Sequence, residues 1–525
     1  MIVYVLLEVG AGDPDPNHST FVFYPFSRHE PVHFAMLLGL LAASPMLFRA
    51  RPASLAQLRI PSAALTWRSV ALVGVGVTAM GLLGALTVFH GYVFTQDEYV
   101  ADFQARVFAA GQIQAAIPAD WLPFVQALTP VYVVPGPGGD TWTSSYLPVA
   151  AAIRALFVLA GAPALTNPVL AGLTIPLIWL VARRLWPDDP IPAIVPPALL
   201  AASPQFLFTS MSAYSMSAHL FMNAAWLYLY VLGTRLSLAV AGVVGILAIG
   251  LHQPHVHALF VAPFLLRLLL ARRWGAAAYF AGAYLLAGVL WAAWWFRFNP
   301  SIGGVPSAVF ALPGVAQFVI QPIAFALLVS WQPIALTLLT IVALLRWRRM
   351  NPLMRDLALS ALLTVGFYFF VDFDQGQGWG YRYAYSVLGN IVLLAGYGWT
   401  TLSDDWRRTV GRGFIAASVL FALLVQAPIR AVQIESFIRP FAESMAFIRS
   451  LPADVALVDQ TEAWYAKDLV RNDPWLTNHT KIMWVHRLSP AQRDALERTA
   501  VVHKVEPAEL KQLGMFVSPV NESGQ

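Results

Sequence analysis

Long apolar runs alternate along this chain with short loops rich in arginine, and that alternation leaves few folds open. A run of about 18–20 apolar residues can cross a bilayer as a helix, because a helix satisfies its own backbone where no water can. The first two runs are Pro31–Phe48 and Val70–Phe89. Others follow at approximately 166–183, 192–210, 216–233, 237–251, 255–270, 276–295, 321–345, 357–371, 384–402 and 414–429. Arg49, Arg51, Arg59 and Arg68 lie between the first two runs. Arg183-Arg184, Arg235, Arg272-Arg273, the Arg346/Arg348/Arg349 group and Arg407-Arg408 close later ones. Basic loops stay in the cytoplasm, and every cluster agrees with one orientation. The pattern predicts a mainly α, polytopic transmembrane protein of about twelve spans with both termini outside. One boundary is thin: HQPH merely interrupts a continuous stretch between 237–251 and 255–270.

Composition agrees, with 58% hydrophobic and 12% charged residues. The absence of Cys excludes disulfides, thiol catalysis and Cys-ligated metals. A formal charge of +5 carried by arginines in short loops is a topology signal, so no nucleic-acid partner is expected. Residues 1–12 are apolar without a basic leader, so no cleavable signal peptide is expected. All four lysines (Lys467, Lys481, Lys504, Lys511) fall near the C-terminus. The chain therefore divides into a transmembrane part, 1–430, and a soluble part, 431–525. In the latter, strand patterns at Val455–Asp459, Ile482–Val485 and Val501–Val505 alternate with helix patterns at 461–471, 490–499 and 506–513. This predicts a small extracytoplasmic α/β domain. It has no Gly-rich phosphate loop and is assigned no chemistry.

The orientation places 91–145 outside the cytoplasm as the first long loop. It opens with the helix-patterned stretch TQDEYVADFQARVFAAG, residues 95–111. Thr95-x-x-Glu98 reads as a capping box and Gly111 as a helix stop. Capping explains Thr95 and Glu98 but not Asp97, and acids at a membrane edge are costly unless used. Val100, Phe103, Val107 and Ala110 form an apolar stripe; Glu98, Asp102 and Arg106 fall on another face, so the helix should lie along the membrane surface. Residues 146–160 carry Arg154 in an apolar run, which predicts a shallow or partly buried helix.

The same orientation brings other polar residues to the outer face. These are Asp140, Tyr146, Tyr214, His219, His252, His255, His257 and the loop DFDQGQGWGYRYAY, where Arg382 is the one cation. The HQPHVH histidines and Asp372-Phe-Asp374 have metal-like spacing. Pro254 interrupts the former and no nearby carboxylate completes a set, so hydrogen bonding is the better reading. Arg382 lies within its loop rather than flanking a span as an anchor, which favours a functional role over snorkelling.

The order of these motifs resembles the GT-C superfamily of glycosyltransferases. The likeness is to the bacterial relatives of protein O-mannosyltransferases and lipid A aminoarabinose transferases. It runs over roughly 69–400: DEYVADFQARVFAAG after a span, SSYLP before a helix, a span ending ARRL, then SPQFLFTSMSAYSMSAHL and GWGYRY. SSYLP departs from the Pro-Pro-Gly common at its place. The resemblance implies a polyprenyl-phosphate sugar donor and an active site on the outer face of a bacterial inner membrane. It also implies transfer, with inversion, to a hydroxyl or amine on a lipid, glycan or protein acceptor.

That chemistry asks for a base and for a cation to hold the phosphate charge. Asp97 is the expected base, Glu98 a cap or second acid, and Arg382 the phosphate ligand. Tyr381, Tyr383, His219 and His255 are expected substrate contacts, with Arg106 and Tyr146 as further candidates. No cofactor is required, and a divalent metal stays open. The competing class is a lipid-linked-sugar transporter. Its paired internal repeats are not evident, and the acids sit in a loop rather than at mid-membrane.

Overall fold

The computed structural model describes residues 66–298, 312–371, 375–459 and 464–515, with a few helical residues between 30 and 39. Asp372 and Asp374 lie outside the described residues, as do residues 1–29 and most of Pro31–Phe48. The described chain is mainly helical. Helix α1 spans Trp67–Thr87, α2 Gln96–Ala109, α3 Val149–Leu159 and α4 Thr166–Leu185. Helices α1 and α4 cross backbone to backbone. A Cβ placed on Gly74 would lie 2.5 Å from the Gly172 carbonyl oxygen, and one on Gly172 would lie 2.6 Å from that of Gly74. The Thr78 hydroxyl donates to the carbonyls of Gly74 (3.1 Å) and Pro168 (3.2 Å) at the same crossing. Small residues and a hydroxyl are how helices approach closely where lipid supplies no hydrophobic drive.

Five helices are long and apolar enough to cross a membrane: Trp67–Thr87, Pro163–Leu185, Trp274–Phe298, Pro352–Phe370 and Asp404–Ser450. Two bent pairs bring the number to seven, Pro190–Ala201 with Pro204–Met211 (50°) and Ile320–Ser330 with Ile334–Leu345 (117°). The protein is built as an integral membrane protein, but the described residues do not reach the expected twelve spans. Helices α5 (Met216–Leu232), α6 (Arg235–Ile249) and α7 (Pro254–Leu270) form where expected, yet have 17, 15 and 17 residues. At 1.5 Å per residue each is shorter than the ~30 Å hydrocarbon core. Pro254 does not break a helix; it starts α7. The run at 384–402 divides into a 3-10 segment, Arg382–Val387, and a helix, Leu388–Thr400. The run at 414–429 lies inside one 47-residue helix, Asp404–Ser450.

Between α2 and α3 the chain makes a small antiparallel sheet of β1 (Ala115–Ala116), β2 (Val133–Pro135) and β3 (Thr141–Ser144), in the order β1-β3-β2. In the tail, β4 (Val455–Val458), β5 (Lys481–Trp484) and β6 (Val502–Val505) form a parallel sheet in the order β5-β4-β6. The tail's Val455, Leu457, Met483 and Leu496 share one apolar core with Val100, Phe103, Leu128 and Trp142 of the 91–145 loop. The Trp142 indole donates to the Pro474 carbonyl (2.7 Å) and the Trp484 indole to that of Thr129 (3.0 Å). Tail and loop are one packed unit over the membrane helices.

Candidate active site

Helix α2 starts where its sequence says it should. The Thr95 hydroxyl accepts the Glu98 N–H (3.3 Å), and at the far end Gly111 turns left-handed (φ 73°). There the Gly111 and Gln112 amides close on the carbonyls of Phe108 and Val107, a C-terminal arrangement open to glycine. The second half of the capping box is redirected. The fully buried Glu98 carboxyl accepts the Ala213 N–H at 2.7 Å, tying α2 to the segment before α5. Burial drives Glu98 up to about 7, although the Ala213 amide and Arg471 oppose the rise.

Asp97 is half-buried and points the other way, into a small pocket shared with Tyr146, Tyr214, Ser215 and His252 over an apolar floor that includes Leu147. One carboxylate oxygen accepts Arg382 Nη1 at 2.9 Å and the other accepts the Tyr146 hydroxyl in a short hydrogen bond. Burial pushes the Asp97 carboxyl up, but Arg382 and the Tyr146 hydroxyl outweigh it and hold it below the usual carboxylate range. Asp97 is therefore an anion at neutral pH. Burial pushes His252 down to about 4, so its imidazole is neutral there. Its ring meets that of Tyr146 edge-on, with centroids 4.1 Å apart.

Arg382 comes from the Gly/Tyr loop, 285 residues away in sequence. Its guanidinium lies over the rings of Tyr214 (4.9 Å) and Tyr383 (5.5 Å). Its Nε is buried with no partner among the described residues. Glutamines frame the loop. The Gln375 amide group donates to the Gly380 carbonyl (2.9 Å) while its oxygen accepts the Arg382 N–H (2.8 Å). Gln205 donates to the Tyr381 carbonyl (2.6 Å) and accepts from Gln332 (2.8 Å). Gly380 is left-handed (φ 70°), and a Cβ there would fall 2.8 Å from the Gln205 side chain.

The other expected residues divide. Tyr146 and Tyr383 reach the Asp97–Arg382 pair directly. Tyr383 also stacks on Tyr368 (4.0 Å), whose hydroxyl meets His255 at 3.1 Å, so His255 touches the pair only through two rings. The Tyr381 hydroxyl donates to Gln321 (3.0 Å) inside a buried cluster, which makes Tyr381 a brace for its neighbour Arg382. His219 is buried one turn below Ser215, and among the described residues neither ring nitrogen has a partner. Arg106 lies apart: its half-exposed side chain pairs with Asp102 at 2.9 Å and does not line the pocket. Among the described residues no three His, Asp or Glu side chains converge as metal ligands. Tyr132 is a residue that spacing could not find. It is a non-glycine at φ 67°, stacked on Tyr146 at 5.3 Å and 45% exposed beside the pair. A bulky residue held left-handed marks strain worth a function.

No family model matches the chain, and no curated protein matches it in sequence. Solved structures do. ArnT from Cupriavidus metallidurans, in a crystal structure bound to undecaprenyl phosphate, superposes with a TM-score of 0.55 at 14% identity. The match covers 78% of this chain and 85% of ArnT. Its apo crystal structure gives 0.53 at the same identity and coverage. The chain has the fold of ArnT. Within this fold the Asp97 helix meets both the Arg382 loop and the tail.

Proposed function

We propose that this chain is a membrane glycosyltransferase that moves a sugar from a polyprenyl-phosphate donor to a hydroxyl-bearing lipid, glycan or protein acceptor. The observation that carries the reading is the Asp97–Arg382 pair. Two loops 285 residues apart deliver a carboxylate and a guanidinium to one pocket, and the guanidinium keeps an unused buried donor. An arginine with spare donors suits a phosphate, which a planar fork grips through two oxygens. ArnT's GT-C fold and its bound undecaprenyl phosphate support the donor class.

In this reading the acceptor oxygen attacks the anomeric carbon and its proton passes to the Asp97 carboxylate. The bond from that carbon to the phosphate oxygen breaks, its electron pair stays on the phosphate, and Arg382 stabilises the charge. One displacement inverts the anomeric centre. In this reading the site faces away from the cytoplasm, which the arginine pattern supports, in a bacterial inner membrane. The test is release of polyprenyl phosphate by purified protein given a panel of polyprenyl-phosphate sugars and a membrane extract as acceptor. Release that Asp97→Asn abolishes supports the reading. Lipid movement in vesicles with no release from any donor would retire it in favour of a transporter.

A further inference from the structure

The tail, to which its sequence assigns no chemistry, grips the one helix that carries Asp97. The segment from Trp464 to Asn472 lies across the start of α2. The Asp468 carboxylate, 3% exposed, accepts the N–H of Gln96 at 3.2 Å, and Gln96 is the first helical residue, next to Asp97. The Gln96 side chain returns the contact by donating to the carbonyls of Lys467 (2.9 Å) and Val470 (3.3 Å). Three residues after Asp468, Arg471 donates to the carbonyls of Val93 and Phe94, just before the helix, and to that of Asp468 (2.5 Å). Its guanidinium lies over Tyr92 (4.5 Å) and Tyr99 (5.3 Å), and the Tyr99 hydroxyl donates to the Asn472 carbonyl.

The arrangement is a two-sided staple. A cation takes the carbonyls that precede α2 and an anion takes an amide of its first turn, where a negative charge is favoured by the helix dipole. Thr95 supplies the ordinary cap for the Glu98 amide, so Asp468 satisfies a different donor and duplicates nothing. Asp97 leaves the backbone one residue beyond the gripped amide and must meet Arg382 and Tyr146, which come from other parts of the chain. Its direction depends on how the first turn is set.

We propose that Asp468 is a positioning residue for the reaction, holding the first turn of α2 so that the Asp97 carboxylate faces the pocket, with Arg471 fixing the segment that leads in. The proposal rests on the glycosyltransferase reading for its turnover arm only. Its second arm, amide hydrogen exchange on the purified full-length chain, is independent of activity.

Asp468→Ala should raise exchange across residues 94–100 by about tenfold while α4 stays protected. It should lower kcat on the order of a hundredfold, as ångström-scale misplacement does, with KM for the polyprenyl-phosphate sugar held within about twofold. Asp468→Asn keeps an oxygen facing the Gln96 amide and should recover most of kcat. Unchanged exchange at 94–100, or a rise shared equally with α4, would overturn the proposal, as would Asp468→Asn being as impaired as Asp468→Ala. If the wild type releases no polyprenyl phosphate from any donor, the enzyme reading fails and the exchange result alone decides the positioning.

Discussion

Of the three carboxylates on helix α2, Asp97 and Asp102 are each paired with an arginine from a distant segment, and the two pairs are finished to different degrees. Asp102 is closed. Arg154 reaches one of its oxygens through Nε (2.9 Å) and Nη2 (2.6 Å), Arg106 takes the other (2.9 Å), and the remaining Arg154 nitrogen donates to the Pro163 carbonyl (3.0 Å). Both Asp102 and Arg154 are buried, and every nitrogen of the Arg154 guanidinium has a partner. Asp97 is open. Its side chain is 22% exposed, it borders the pocket, and Arg382 retains an Nε without a partner. Burial raises both carboxyls and arginine lowers both below the usual range. Neither charge nor pKa tells the two apart. Saturation does, because a filled pair can only hold the fold together, whereas a pair with a spare donor at a cavity has something left to give a substrate.

The largest contrast should come from neutralising each acid. Asp97→Asn should lower release of polyprenyl phosphate by roughly a hundred- to ten-thousandfold, the range of general-base loss, with the thermal midpoint in detergent little changed. Asp102→Asn should instead cost about 3–5 kcal/mol of stability by leaving Arg154 uncompensated, while the folded fraction turns over normally. If Asp102→Asn abolishes turnover in folded protein, the division by saturation is wrong.

The arginines should divide the same way with smaller effects. Arg382→Lys keeps the charge but loses the fork, and turnover should fall about tenfold to a hundredfold with the protein still folded. Arg154→Lys should lower the thermal midpoint, since one ammonium cannot reach both Asp102 and Pro163.

Removing the Tyr146 hydroxyl sharpens the comparison further. The hydrogen bond favours ionised Asp97, whose depressed pKa keeps it active as pH falls toward that pKa. Tyr146→Phe should therefore raise the Asp97 pKa and move the acid limb of the kcat/KM profile to higher pH. A profile that moves to lower pH would reverse the assignment.

The smallest effect belongs to Arg106. Its side chain is 53% exposed, and pairs of that kind contribute at most about 1 kcal/mol. Arg106→Ala should shift the thermal midpoint slightly and leave turnover intact.

How much of this was legible depended on whether a residue's role left a local trace. Asp97 stood out because capping accounted for its neighbours and not for it. Arg382 stood out as a cation among glycines and tyrosines rather than at a span end. The tail strands sit within a residue of their sequence pattern, since β-branched runs bounded by polar residues carry that signal locally. Glu98 was legible as a cap, but its reach to Ala213 was not, because nothing in TQDE marks a partner 115 residues on. The glutamines that frame Arg382, the Asp102 partner of Arg154 and the Asp468 grip on Gln96 likewise depend on long-range juxtaposition. The strands β1 to β3 have two to four residues, too few for alternation to register. Among the described residues five to seven of the expected twelve spans are long and apolar enough to cross a membrane. Runs such as the one at 237–251 were themselves short, and α6 has the same 15 residues, too few for a helix that crosses the hydrocarbon core alone.

The crossing of α1 and α4 has a consequence for how such a sequence can diverge. Where a side chain fills a hole, a neighbour can shrink or turn to accept a new atom. At Gly74 and Gly172 a methyl group would meet the opposing backbone carbonyl, which has no rotamer to change, and at Gly172 it would meet the Thr78 side chain as well. An alanine at either position therefore obliges a whole helix to slide. Helix α1 leads through only eight residues to Gln96 and the start of α2. Drift at a position deep among the membrane helices, touching no polar atom of the pocket, is thereby felt at Asp97.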